Sequence, residues 1–584
     1  MTRRQVVPGR VTDALGPVAR PVTLAGAAVL AIACFLPWSQ YAGFPGKMLN
    51  TIPGGARVYL LLLCLPALTL LRPVQGRARA LRITGRFALV LAVLTLLFIA
   101  YAGGGIVNVG YGAFVGVVGA VGYALGTQAL EGGEQETVRS SPPSLPAASW
   151  RLPVEVLVTA GVAVLGLVVF VVGLGIPTSS IAAGTPPHSL LGAISLEDLT
   201  NESQFLSFLI FVAGIMLAAS RFGLLAACGE ITKRHPRVLV GAALLAAVAF
   251  PFTQGGSGYS LRIAASIGVF AAAAVGLNIV VGLAGLLDLG YIAFFGVGAY
   301  VAALVSGSLT SVLHLHLPFG LVILLGAAIS GLFGILIGAP TLRLRGDYLA
   351  IVTLGFGEIF RITVNNLDGS AGPSLTNGPN GVSNIPDLAL GGFSFGANHT
   401  LFGVDLPFQA NYYWLEILLV AAVMTAFLRL SESRIGRAWV AIREDELAAA
   451  ATGINTTRLK LLAFALGATL AGAAGTVDAH VVKVAAPDSF TFLESALLLA
   501  AVILGGMGTV PGALLGATVL YLLPEKLRFL QDLRLLVFGI VLVLLMRFRP
   551  EGLVPSKRRA REFHEGQGGG DALAASPAHV EAPA

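Results

Sequence analysis

Residues 433–460, SRIGRAWVAIREDELAAAATGINTTRLK, are a charged interruption between two apolar stretches. They hold four arginines, a closing lysine and the acidic run Glu444, Asp445, Glu446. A segment this charged does not sit in lipid, so it stands in water on one side of a membrane. From Ile435 to Ala451 apolar and polar residues alternate at near-helical spacing, which predicts one amphipathic helix; Gly453 and Asn455 then break it.

The chain around this stretch sets the class. Of 584 residues, 56% are hydrophobic and 11% charged, against roughly 25% charged in soluble proteins. The mean hydropathy is +0.84. Apolar runs are about 15–25 residues long and lack strand-period alternation, which predicts helices and excludes a barrel. The expected fold is therefore an all-α polytopic membrane protein: a transmembrane bundle with short and broken helices and a cytoplasmic amphipathic segment. The 73 glycines fit close helix packing. The net charge of +7 is ascribed to Lys and Arg in cytoplasmic loops and not to nucleic-acid binding. Cys34, Cys64 and Cys228 have no spacing that implies a disulfide framework or a metal site. The start, MTRRQVVPGR followed by an apolar run, resembles a signal peptide but reads as the approach to a first membrane helix.

Sixteen spans are expected. Six lie at 22–42, 58–71, 87–102, 105–130, 152–176 and 204–220. Ten more lie at 238–252, 261–283, 286–306, 318–342, 348–364, 413–430, 459–481, 493–506, 509–523 and 532–547. The stretch RPVQGRARALRITGR (72–86) has five arginines and no acid, and RFGLLAACGEITKRHPR (221–237) is basic again, so both are placed inside. Residues 177–203 and 365–412 contain no Lys or Arg and are placed outside. Residues 131–149 read as a polar linker. The basic tail from Arg547 is placed inside, followed by a Gly- and Ala-rich disordered end. The chain divides into an N-terminal membrane region of about six spans (1–235), a core (236–555) and a tail (556–584). VGYGAFVGV (109–117) echoes LGYIAFFGV (289–297). Chance similarity of Gly/Ala-rich helices is the preferred reading, with a degenerate duplication as the alternative.

No motif for covalent chemistry emerges. There is no GxxxxGK[ST] loop, so the chain does not cradle ATP phosphates by itself. His314 and His316 lack a supporting carboxylate or cysteine, and no catalytic, metal or cofactor site is assigned. Ionisable residues inside spans are costly and become candidates for function. Glu358 and Arg361 are three apart and share a helical face with Asn365, either as a structural ion pair or as a polar stripe along a substrate path. Asp288 follows Gly282 and Gly285 and either caps the next helix or lines a cavity. Asp478, His480 and Glu494 are read as interfacial. Gly508, Gly512 and Gly516 at i, i+4, i+8 predict one smooth packing face on a helix.

The second half resembles the permease subunits of branched-chain amino-acid ABC importers. The matching stretches are GLNIVVGLAGLLDLGYIAFFGVGAY (276–300), LRLRGDYLAIVTLGFGEIFRITVNN (342–366), NGPNGV (377–382), residues 433–455, KLLAFALGATLAGAAG (460–475) and LGGMGTVPGALLGA (504–517). The resemblance covers roughly residues 236–555. It implies a multi-pass protein of a bacterial-type cytoplasmic membrane, with no cofactor and no enzymatic activity of its own. The implied partners are a second, homologous permease, two cytoplasmic ATPase subunits and an extracytoplasmic solute-binding protein. It makes 433–460 a coupling element in which Arg437, Arg443, Glu444, Asp445 and Glu446 contact the ATPase and Gly453 makes the turn. The family's usual EAA triplet reads Leu447-Ala448-Ala449 here, with Glu446 one step earlier. Asn278, Asp288, Glu358, Arg361 and Asn365 become candidates for the translocation path. A permease for urea or short amides fits the same resemblance. An ion-coupled secondary transporter using Glu358 or Asp288 is an alternative of another class, against which the docking segment speaks.

Overall fold

The structure is a computed structural model. It describes residues 18–39, 56–71, 78–102, 106–134, 152–175, 196–254, 258–308, 311–313, 315–341, 347–369, 374–390, 392–401 and 403–526, with isolated positions in 536–554. The expected span at 532–547, the linker at 131–149 and His314 lie largely or wholly outside the described residues. Ten described helices are long and apolar enough to cross a membrane, and five shorter apolar helices accompany them. The protein is all-α in its membrane part and polytopic. The chain forms two compact units, Met1–Thr253 with Lys526–Gln531, and Gln254–Glu525 with Asp532–Ala584.

The first unit contains α1 (Ala19–Ala33), α2 (Ala56–Cys64), α3 (Ala78–Ala102), α4 (Tyr111–Glu134), α5 (Leu152–Gly175), α6 (Leu196–Arg221), α7 (Leu224–Arg234) and α8 (Pro236–Ala249). Helix α3 begins nine residues before the expected span at 87, so Arg79, Arg82 and Arg86 ride on its first turns instead of a loop. Leu30, Trp38, Leu60, Leu63 and Tyr123 form the centre of its core. The Trp38 indole donates to the Ala33 carbonyl at 2.8 Å, which satisfies the one polar atom of a buried ring. Glu155 on α5 accepts from Arg234 at 3.1 Å and lies 3.0 Å from His235, at the α7–α8 junction.

The second unit is built around α16 (Thr456–Val482). Its neighbours are α9 (Gly258–Asn278), α10 (Tyr291–Val305) and α11 (Phe319–Thr341). Small residues allow this approach: a Cβ on Gly298 of α10 would run into the Gly472 carbonyl, and one on Gly472 would meet Ser330 of α11. The Tyr291 hydroxyl donates to the Gly467 carbonyl at 2.9 Å and fixes α10 against α16. The remaining helices are α12 (Asp347–Asn366), α13 (Gln409–Glu432), α14 (Arg434–Glu444), α15 (Glu446–Ala451), α17 (Phe492–Gly505) and α18 (Val510–Lys526). Between α12 and α13 the loop is not structureless. It holds β1 (Val382–Ser383), β2 (Ala389–Leu390), β3 (Phe393–Ser394), β4 (His399–Leu401) and β5 (Val404–Leu406). Strands β2–β3 and β4–β5 form hairpins, and β1 pairs with β6 (Val484–Ala485) just after α16. The Lys483–Asp387 ion pair at 2.9 Å reinforces that junction.

Three expectations change at element level. The span at 286–306 is a helix only from Tyr291, because α9 ends in a wide π-helical turn, Ile279–Leu283, followed by non-helical chain through Gly290. The predicted single amphipathic helix at 435–451 is two helices, α14 and α15, parted at Asp445 with φ −152° and ψ 109°. Gly508 does not share a helical face with Gly512 and Gly516: it precedes α18, in a turn with φ +79°. Gly512 and Gly516 do pack closely, against the carbonyls of Gly505 and Ala501 on α17.

Candidate functional site: the coupling element and the helix break

Helix α14 starts where α13 stops. Ser433 caps it, its hydroxyl accepting from the Gly436 N–H at 3.1 Å. Arg437 folds back and donates to the Glu432 carbonyl at 2.9 Å, satisfying an end of α13. Trp439 is wholly buried, and its indole donates to the Leu459 carbonyl at 2.7 Å. The two-helix element is thus seated against the first turn of α16. Asp445 breaks the helix because its carboxylate accepts from the N–H groups of Leu447 and Ala448, at 2.9 and 3.0 Å, capping α15. Glu446 pairs with Lys460, whose side chain is only 7% exposed. Gly453 follows α15 with φ +87°, a conformation that glycine adopts without Cβ strain.

Arg443 has a different use from the one its position in a charged loop implies. Its guanidinium donates from Nη1 to the Gly282 carbonyl at 2.6 Å and from Nη2 to Glu444 at 2.9 Å. Gly282 lies in the π-helical turn that ends α9, where carbonyls lack their regular helical partners. The same break is held from a second side. The Gly508 N–H donates to Asn278 Oδ1 at 2.8 Å, and Asn278 Nδ2 donates to the Thr509 carbonyl at 3.0 Å. The non-helical chain that follows is pinned as well. Asp288 is buried and accepts from the Gly290 N–H at 2.9 Å, Leu289 donates to Thr353 of α12, and Ile292 donates to Ser495 of α17. Asp288 thus stabilises the entry to α10.

Glu358 and Arg361 form their ion pair at 2.9 Å, and Arg361 also lies 3.8 Å from Asp488. Both side chains remain about one-third exposed, at 35% and 30%. Asn365 stands on the next turn of α12, and its backbone carbonyl lies close to Gly378. The α14–α15 element and the helix break therefore meet through Arg443, while the Glu358–Arg361 pair is on α12. Among the described residues, no group of His, Cys, Asp and Glu is arranged to hold a metal ion.

A family model described as "branched-chain amino acid transport system / permease component" matches residues 259–546. The high-affinity branched-chain amino acid transport system permease protein LivM of Salmonella typhimurium is 39% identical over 367 residues, covering 61% of this chain and 83% of that protein. LivM of Escherichia coli is 38% identical over the same length and shares. LivH of Salmonella typhimurium is 27% identical over 257 residues, 43% of this chain and 79% of its own. The chain belongs to the LivM-type permease family. No solved structure matches it.

Set on this permease's fold, one residue stands out that sequence reading passed over. Glu416, in NYYWLEILLV, is the eighth residue of α13 and is 1% exposed. Among the described residues neither of its carboxylate oxygens has a hydrogen-bond partner. The signal was available, since an acid inside an apolar span is costly in lipid. It was hidden by two tyrosines and a tryptophan, which make the segment look interfacial.

Proposed function

We propose that this chain is a membrane subunit of an ATP-driven importer in the cytoplasmic membrane, and that the importer carries branched-chain amino acids. The observation that carries the reading is the α14–α15 element. It is a water-facing, two-helix projection between two spans of a chain that has no nucleotide-binding loop. The printed function of the LivM and LivH relatives supports the choice of cargo. Two cytoplasmic ATPase subunits dock beneath, a second homologous permease pairs with this one, and an extracytoplasmic binding protein delivers the cargo.

ATP binding closes the motor pair and displaces α14–α15. Helix α13 is joined to α14 without a loop, and Arg443 ties α14 to the break that ends α9. Displacement is therefore transmitted to α13 and α9 as rigid rods, and the break supplies the point where the bundle rearranges. Arg437, Arg443, Glu444, Asp445, Glu446 and Gly453 shape and anchor the element from within the chain. The surface offered to the motor is the exposed side of α15, with Leu447 at its tip. Asn278, Asp288, Glu358, Arg361 and Asn365 border the path.

Reconstitution of the permease with its partner subunits in proteoliposomes tests this. Uptake of labelled leucine that requires ATP and survives an uncoupler is the expected result. Uptake of urea or acetamide in place of leucine would move the cargo to the amide class. Uptake abolished by the uncoupler, without any ATPase, would overturn the reading.

A further inference from the structure

We infer that Glu416 is the membrane-embedded counter-ion for the ammonium group of the cargo, occluded between α9 and α13 in this conformation. The inference rests on the transport reading above and adds the group that recognises the cargo inside the bundle.

The argument begins with an unsolved electrostatic problem. A carboxyl group that is 1% exposed and lacks hydrogen-bond partners among the described residues is an expensive thing to keep in an apolar bundle. Other acids of the same unit have at least one partner: Asp288 has a backbone N–H on one oxygen while its other oxygen has none, Glu446 has Lys460, and Asp387 has Lys483. Glu416 instead faces Gly268 of α9, where an added Cβ would lie 3.1 Å from Oε2. The glycine leaves the carboxylate room that a side chain would fill. Among the described residues, the charge that acts on Glu416 is another acid and not a base. Asp478 of α16 acts on Glu416 electrostatically, and Glu494 of α17 acts on Asp478. Tyr413, one turn before Glu416 on α13, feels the charge of Glu416, and Tyr521 of α18 that of Asp478 and Glu494. A buried carboxylate with no hydrogen-bond partner is the chemistry that recognises an alkylammonium ion, by charge-assisted hydrogen bonds.

The location suits delivery from outside. Glu416 lies seven residues into a helix that begins just after the extracytoplasmic hairpins, or about 10 Å along its axis. Asp478 is near the C-terminus of α16 and Glu494 near the N-terminus of α17, on either side of the short connection through β6, which pairs with β1 of the loop before α13. The means of opening lies at the other end of the same helix pair. Helix α13 continues into α14, and Arg443 of α14 holds the Gly282 carbonyl at the end of α9. The α9–α13 contact is thus closed at Glu416–Gly268 and latched at Arg443–Gly282, and a displaced coupling element releases the latch.

The test uses the full importer in proteoliposomes with its ATPase subunits, second permease and binding protein. For Glu416→Gln, leucine uptake is expected to fall roughly tenfold or more, the loss of one charge-assisted interaction. ATPase stimulation by the docked binding protein should persist, and Glu416→Asp should recover part of the uptake. Wild-type uptake by Glu416→Gln would overturn the inference. If that variant fails to assemble, the wild-type complex decides. A hydrophobic carbodiimide should modify Glu416, as read by mass spectrometry, and leucine with ATP and the binding protein should slow the modification. Equal modification with and without leucine would overturn it. A wild-type complex that carries amides but no amino acid would sink the cargo reading and this inference together. Leucine uptake unaffected by Glu416→Gln would sink the inference alone.

Discussion

Arg443 has a partner that its sequence neighbourhood does not disclose. Its charge and helical register were plain in the sequence, and they placed it on an amphipathic, water-exposed segment between two spans. Its bond to the Gly282 carbonyl, 161 residues earlier, has no sequence signature, because it depends on where α9 ends and frees a carbonyl. Hydrogen bonds from charged donors contribute about 1.5–3 kcal/mol. Arg443→Ala is therefore expected to leave the permease assembled and the ATPase active, while leucine moved per ATP hydrolysed falls roughly tenfold. Equal coupling ratios in wild type and variant would remove the latch from the mechanism. Close packing gives a second residue-scale prediction. Gly298→Ala sets a methyl against the Gly472 carbonyl at the centre of the bundle. Overpacking of this kind costs about 1–3 kcal/mol, so the variant should lose its size-exclusion monodispersity in detergent at a lower temperature than wild type.

At the scale of elements, periodicity revealed most helices and little of what interrupts them. Runs such as 319–341 and 456–482 are long, apolar and bounded by polar residues, so their helices were legible. The break after Asn278 was foreshadowed by Gly282 and Gly285, but sequence placed a helix from 286, five residues before Tyr291. The split at Asp445 was hidden because REDE suits a helix as well as a cap; only the bonds to the Leu447 and Ala448 N–H groups show which use prevails. That split determines which side chains the element exposes. Glu446 turns inward to Lys460, while Leu447 is 68% exposed at the start of α15. Where the family's usual triplet begins with an acid, this chain therefore presents an apolar tip. Leu447→Arg should weaken assembly with the ATPase subunits by about tenfold or more in pull-down titrations. Asp445→Ala, which removes the cap at a cost of about 1 kcal/mol, should weaken it less. Retained assembly in Leu447→Arg would place the docking surface elsewhere.

For the whole molecule, the two compact units raise the question of how much chain the transport core requires. The family model spans residues 259–546, while the LivM relatives align with 61% of the chain, a larger share than that segment. The alignment therefore extends beyond the family segment. Topology gives a physical reason for a start before 254. The basic residues at 221–237 are expected to hold that stretch inside, which makes α8 the span that follows a positively charged anchor. A chain starting at residue 254 would have to translocate its own N-terminus, and the Lys and Arg bias of every later loop would depend on that step. A chain of residues 221–584 keeps the basic stretch and α8 as its first span. It is expected to insert with native sidedness and to retain leucine uptake with its partners, whereas residues 254–584 are expected to lose it. Cysteine accessibility at the tip of the 392–403 hairpins checks sidedness directly. Labelling of that tip from outside in 221–584 but not in 254–584 is the expected pattern. Full uptake by 254–584 would show that the core carries its own topological information and that the first 253 residues serve something other than insertion.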